Sequence, residues 1–252
     1  MCARFTIRKK KVREIAEALE AELGPDDEPL YRPRYNVAPT DLAWIVDHSG
    51  SGRVLRAATW SYVVGDGARR LINVRGESVG SGAGFREAFA SRRCVVVTDG
   101  FYEWPGGKGR PPTLFHRADD GLVLLGGLYQ RPRGGDDHPR DAYPRFTVLT
   151  TRPSAPIARV HDRMPDIVPE AQLDRWLEGE PAAAAALIAP APDDALVGTL
   201  VSKHVNNVRN DDPACVVPAE GPCARPSPRT TRPRRRPSSG AARTCQRGRR
   251  TT

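Results

Sequence analysis

The stretch Cys94-Val95-Val96-Val97-Thr98-Asp99-Gly100-Phe101-Tyr102-Glu103-Trp104-Pro105 decides how this chain is read. Cys94–Thr98 is a short β-rich run, stopped by Asp-Gly, and too short to be a helix. Working outward, runs of the same character recur at Leu42–Asp47, Val54–Trp60, Leu71–Val74, Thr113–Phe115, Leu122–Tyr129, Phe146–Thr151 and Leu196–Ser202. Few helical patterns lie between them. Residues 11–23 place Val12, Ile15, Ala16, Leu19 and Leu23 on one helical face with charges opposite, ended by Pro25, and further helices are expected near 84–91, 169–178 and 181–188. Tyr31–Thr40, with two prolines, reads as an ordered loop. Strands spaced in this way predict an α+β protein with a mostly antiparallel sheet or barrel core and a few peripheral helices, not a βαβ array.

The chain has 252 residues, enough for one sizeable core, and a net charge of +9. That charge is local: residues 219–252 hold ten arginines and one glutamate, so residues 1–218 are neutral overall. Nucleic-acid recognition by residues 1–218 would therefore rest on particular side chains rather than on bulk charge. The segment 219–252 is rich in Pro, Arg, Ser, Thr and Gly and is expected to be a disordered tail. No stretch approaches the roughly eighteen apolar residues of a membrane span. Cysteines at 2, 94, 215, 223 and 245 form no CxxC pair. With no secretory pattern at the N-terminus, they suit a cytoplasmic protein better than a disulfide framework. Histidines at 48, 116, 138, 161 and 204 are scattered without zinc-ligand spacing, and Gly106–Gly109 lacks phosphate-loop spacing and reads as a hairpin turn. Neither a cofactor nor a metal is expected.

Four segments carry chemistry. Cys2, once Met1 is removed, puts a thiol and an α-amine two carbons apart, with free pKa values of about 8.5 and 7.7–8.0. Such a 1,2-aminothiol condenses with an aldehyde to an imine, and the thiol then closes a thiazolidine ring. Asn73, Arg75 and Glu77 alternate along an extended segment and would share one face. Glu103 lies among Phe101, Tyr102 and Trp104, where a partly desolvated carboxylate would gain proton affinity and serve as an acid or base. His161, in Val160-His161-Asp162-Arg163-Met164-Pro165, is suited to shuttle a proton near neutral pH.

These motifs occur in order with Arg4-Phe5, Arg34-Tyr35-Asn36-Val37-Ala38-Pro39-Thr40 and Val205-Asn206-Asn207-Val208. Together they resemble the SOS response-associated peptidase (SRAP) family from Cys2 to about Pro218. The resemblance implies a DNA-damage protein that recognises abasic sites in single-stranded DNA and crosslinks to them covalently through the N-terminal cysteine. It also implies the peptidase, or lyase-like, activity ascribed to the family. Here Cys2 directly follows Met1, so ordinary methionine removal would suffice to expose it.

By the same resemblance Cys2 is the nucleophile, and Asn73 holds the N-terminus and a sugar-derived oxygen. Glu103 takes the proton of the α-amine and assists imine formation or reversal, and His161 protonates the sugar O4′ as the furanose opens. Arg4, Arg75 and Arg163 bind phosphates flanking the lesion, with Thr150 as a hydroxyl donor. The implied partners are single-stranded DNA with abasic sites and proteins of the replication fork. A monomer is expected, in the cytoplasm and associated with the nucleoid when acting.

Two departures stand out. Ala3 replaces the family's usual glycine. Trp60 is followed by Ser61–Arg70 without the proline and second tryptophan that supply an apolar wedge against DNA bases, a place that Tyr62, or Arg69 and Arg70, could take. Two other functions compete. One is an amidohydrolase or peptidase using Cys2 as an N-terminal nucleophile with Asn73 in an oxyanion hole. The other is a non-catalytic nucleic-acid binder that relies on the arginine-rich tail.

Overall fold

A computed structural model describes residues 2–50, 52–65, 69–80, 84–106, 110–132 and 142–219. The expectations for a disordered tail beyond Ala219 and for the turn at 107–109 lie outside the described residues.

The valine run forms the centre of the molecule. Every residue of strand β9 (Arg93–Thr98) is buried. It pairs antiparallel with β4 (Leu42–Ser49) on one side and β12 (Val123–Gln130) on the other. β4 continues to β5 (Gly52–Trp60), and β12 continues to β13 (Arg145–Thr151), both antiparallel. A short parallel pairing, Arg145 with Thr59 and Phe146 with Trp60, joins β13 back to β5 and closes these strands into a ring. The closure is cemented by aromatics: Trp60 stacks on Phe146 (centroids 6.1 Å apart, 5° between planes) and packs against Phe5 at 4.9 Å. The expected antiparallel barrel core is present.

Three strands decorate this ring. β2 (Ala21–Leu23) runs parallel to β5, β8 (Asn73–Arg75) runs parallel to β13, and β14 (Met164–Pro165) lies antiparallel to β13. β6 (Tyr62–Val64) and β7 (Arg69–Leu71) form a separate hairpin. A second, wholly antiparallel sheet comprises β1 (Phe5–Ile7), β3 (Arg34–Val37), β10 (Gly100–Glu103), β11 (Thr113–His116) and β15 (Val197–Leu200). Its order is β15-β11-β10-β1-β3. Short helices α1 (Val12–Ala18), α2 (Arg86–Ser91), α3 (Ala155–Ala158), α4 (Leu173–Leu177) and α5 (Pro181–Ala185) sit outside the strands.

Three local expectations are corrected. The helix expected over 11–23 stops at Ala18. Glu20 adopts φ 49°, and Ala21–Leu23 instead donates to and accepts from the open edge of β5. Val12, Ile15, Ala16 and Leu19 still form the buried face, whereas Leu23 belongs to a strand. The loop expected at Tyr31–Thr40 contains β3, because β1 offers it a ladder: Phe5 faces Val37 and Ile7 faces Arg34. Leu71–Val74 is split at Ile72, whose carbonyl accepts from Trp60 Nε1 at 2.9 Å and from the Val148 amide at 3.0 Å.

Candidate active site around Cys2

The register of the second sheet brings the N-terminus to Glu103. β1 and β10 pair Phe5 with Phe101 and Thr6 with Gly100, and the Tyr102 amide donates to the Arg4 carbonyl at 3.0 Å. By continuation, Glu103 stands opposite residue 3, next to Cys2. From the barrel, β8 places Asn73 at its first residue, and the Asn73 amide Nδ2–H donates to the Cys2 carbonyl at 2.7 Å. Two sheets thus meet over one residue.

Both reactive groups are buried. Cys2 is fully inaccessible and Glu103 is 2% exposed. Desolvation lifts the Glu103 carboxyl to about 7, against the opposing pull of the N-terminal amine and with the Asp162 charge adding slightly to the rise. This is the raised proton affinity that the aromatic neighbourhood implied. The Cys2 thiol departs from its sequence reading. Burial first, and the Glu103 charge second, push it far above the usual thiol range. Burial of this kind disfavours the thiolate.

The remaining predicted residues fall into two groups. Arg75 is exposed at the end of β8. Arg4 is committed within the protein: its Nη1 donates to Asn36 Oδ1 at 2.8 Å and to the Val205 carbonyl at 3.0 Å, and its guanidinium lies 5.9 Å from the Trp104 ring. Arg163 forms a two-pronged pair with Glu77, at 2.7 and 2.8 Å, and donates to the Thr150 carbonyl at 2.5 Å. The buried Thr150 hydroxyl donates to the Val74 carbonyl at 3.3 Å and accepts from Arg163 at 3.2 Å. His161 Nδ1 lies 3.0 Å from the Arg163 amide and 2.9 Å from Asp162 Oδ1. Strand pairing explains the grouping, because Thr150 of β13 faces Arg75 on one side and Pro165 on the other. The alternation expected for Asn73, Arg75 and Glu77 holds only to Arg75, since Gly76–Ser78 turns into a 3-10 helix. Of the suggested substitutes for the wedge, Tyr62 is 3% exposed and packs on Phe85, out of reach of a base, whereas Arg69 and Arg70 are exposed.

Sequence reasoning gave no role to three residues that hold this arrangement. Glu77 fixes Arg163. Asn36, fully buried, donates to the carbonyls of Val205 (3.2 Å), Asn207 (3.1 Å) and Asn210 (2.6 Å). Asp211 accepts from the amides of Tyr35 (2.7 Å) and Asn36 (3.0 Å) and pairs with Arg32 and Arg34. The closing segment, residues 201–218, is thereby clasped to β3. Asn36 and Glu77 lay inside quoted motifs, but the only sign of Asp211 was a run of polar residues.

Among the described residues, one group gathers metal-type ligands: His204, Asp212 and Cys215, with ligand atoms within 4.8 Å of one another. Its sequence spacing did not mark it. His204 Nδ1 faces the Asn210 amide nitrogen at 3.1 Å, which puts the neutral ring's proton on Nε2, 3.0 Å from Asp212. The group is arranged as a hydrogen-bonded pair beside a thiol. A cavity of about 410 Å³ elsewhere, lined by Leu124, Ile167, Leu187, Pro190 and Leu196 among others, contains none of the residues above.

The fold and site define a β-barrel protein with a buried cysteine at its second position, held between an asparagine and a glutamate. The chain belongs to the SOS response associated peptidase (SRAP) family, which it matches over residues 1–208. It is 28% identical over 229 residues to the abasic site processing protein YoqW of Bacillus subtilis, spanning 86% of this chain and 99% of that protein. It is 30% identical over 233 residues to the abasic site processing protein HMCES of Gallus gallus, spanning 75% of this chain and 67% of that protein. A crystal structure of a protein from Bacteroides thetaiotaomicron shares the fold, with a TM-score of 0.72 and 18% identity over 86% of this chain and all of that one. Among the described residues no helix is long and apolar enough to cross a membrane.

Proposed function

We propose that this protein acts in the DNA-damage response by recognising abasic sites in single-stranded DNA and capturing them covalently through Cys2. The observation that carries the reading is the convergence on Cys2 of the Asn73 amide, 2.7 Å from its carbonyl, and the buried Glu103 carboxyl, which titrates at about 7. Two relatives named as abasic site processing proteins support the choice of substrate.

After Met1 removal, the α-amine of Cys2 attacks the aldehyde carbon of the ring-opened deoxyribose, and loss of one water gives an imine. The Cys2 sulfur then bonds to the imine carbon while the thiol proton passes to nitrogen, which completes the thiazolidine. A carboxyl titrating near 7 is matched to both proton transfers, since it can accept from the ammonium and return a proton to the departing water. His161 supplies the proton to O4′ as the sugar opens. Exposed Arg75 engages a backbone phosphate, while Arg4 and Arg163 shape the phosphate path from anchored positions.

The test is a denaturing gel of the purified protein with single-stranded DNA carrying one abasic site. A heat-stable shifted band is expected, absent with Cys2→Ala and with intact DNA. No band from protein whose N-terminal cysteine is confirmed free by mass spectrometry overturns the reading.

A further inference from the structure

We propose that Glu77 is a positioning residue that acts through Arg163 to set the tautomer of His161. The inference rests on His161 serving as the proton donor described above.

Glu77 sits in the 3-10 turn Gly76–Ser78 that ends β8. A Cβ at Gly76 would come within 2.5 Å of Ile188 Cγ2, so glycine lets this turn pack closely and aim Glu77 at Arg163. Both carboxylate oxygens are used: Arg163 Nη1 donates to Oε1 at 2.7 Å and Nη2 to Oε2 at 2.8 Å. Nη2 also donates to the Thr150 carbonyl at 2.5 Å. Fork-to-fork geometry between a carboxylate and an arginine that is only 14% exposed fixes orientation as well as charge.

Arg163 so anchored presents its backbone N–H to His161 Nδ1 at 3.0 Å. A nitrogen that accepts carries no proton, so the neutral ring keeps its proton on Nε2, as a donor needs. The same Nδ1 lies 2.9 Å from Asp162 Oδ1, which can only accept. The two contacts exclude one another. Either Nδ1 accepts from Arg163, or it carries the proton and donates to Asp162. Asp162 is 89% exposed and water competes for it, whereas Arg163 is anchored to Glu77 and to Thr150. Glu77 therefore tips His161 toward the Nε2–H form. Without Glu77, the 161–163 turn loosens, Asp162 draws the proton to Nδ1, and Nε2 becomes an acceptor.

The imidazole nitrogens of ¹⁵N-labelled protein report this directly, without DNA. Neutral His161 should be Nε2–H in the wild type and in Glu77→Gln, which keeps a hydrogen bond to Arg163, and should shift to mainly Nδ1–H in Glu77→Ala and Arg163→Lys. In parallel, the single-turnover crosslinking rate at saturating abasic DNA should fall about tenfold or more in Glu77→Ala and be largely restored in Glu77→Gln. An unchanged tautomer in both Glu77→Ala and Arg163→Lys overturns the proposal, as does a Glu77→Gln rate no better than that of Glu77→Ala. If the wild type fails to crosslink, the functional reading falls, and the nitrogen spectra still decide the role of Glu77.

Discussion

Asn73 Nδ2 lies 2.7 Å from the carbonyl oxygen of Cys2, a bond between residues 71 positions apart that ties the first residue of β8 to the chain's N-terminus. The other amide atom, Oδ1, is buried without a hydrogen-bond partner among the described residues. This bond therefore sets the amide's orientation. Asn73→Ala should slow crosslinking roughly ten- to a hundredfold by releasing the nucleophile. Its stability should fall by only about 1 kcal/mol. Asn73→Asp should be worse than alanine, because a carboxylate would face the carbonyl oxygen. Gel-based rates and thermal melts check both, and a wild-type rate in Asn73→Ala would count against the assignment.

Glu103 should write its ionisation into the rate. Its carboxyl is protonated below about 7 and becomes a base above, so the crosslinking rate should rise through pH 7 and level off. Glu103→Gln should be slow at every pH and lack that inflection. A pH profile measured with both proteins on the same abasic oligonucleotide separates this from ionisation of the sugar or the amine.

Asp166 predicts a stability effect away from the chemistry. Its side chain is fully buried, and desolvation raises its carboxyl from the ordinary 3.8 to about 7 against the opposing pull of the Ala189 backbone amide. Between these values the folded protein holds a proton that the unfolded chain has released. Stability should therefore fall as pH rises from about 4 to 7 and stay flat above. Asp166→Asn should remove this loss, gaining on the order of 3–4 kcal/mol over wild type at pH 8 and little at pH 4. Urea titrations at the two pH values provide the comparison.

Asp211 should act as the clasp of the closing segment. Replacing it by alanine strips acceptors from the amides of Tyr35 and Asn36 and from Arg34, at a cost of about 2–4 kcal/mol. Crosslinking should also weaken, since the Val205 carbonyl that orients Arg4 belongs to the same segment. Native-state hydrogen exchange should show early opening of residues 201–218 in Asp211→Ala. Uniform exchange with wild type would refute the clasp.

Much of the barrel was legible because its signal is local. The runs at Leu42–Asp47, Val54–Trp60, Cys94–Thr98, Leu122–Tyr129 and Phe146–Thr151 each became a strand within about two residues. What failed were segments whose conformation is decided by a partner. Ala21–Leu23 continues a helical pattern yet pairs with β5, and Arg34–Val37 carries prolines nearby yet pairs with β1. An edge that offers unpaired amides and carbonyls outweighs a propensity worth tenths of a kcal/mol per residue.

The candidate site divides in the same way. Residue type alone sets the reactive inventory: an aminothiol in waiting at Cys2, an acid among aromatics at Glu103, a histidine before Asp162-Arg163, and a neutral body with a basic end. Their states depend on how the sheets pack around them. Burial pushes the Cys2 thiol far above the usual thiol range and lifts the Glu103 carboxyl to about 7. Pairing enclosed Arg4 and Arg163 in carbonyl and carboxylate partners while leaving Arg75 exposed. Residue type is local, whereas proton affinity and charge availability depend on desolvation and on neighbours brought together only by strand register.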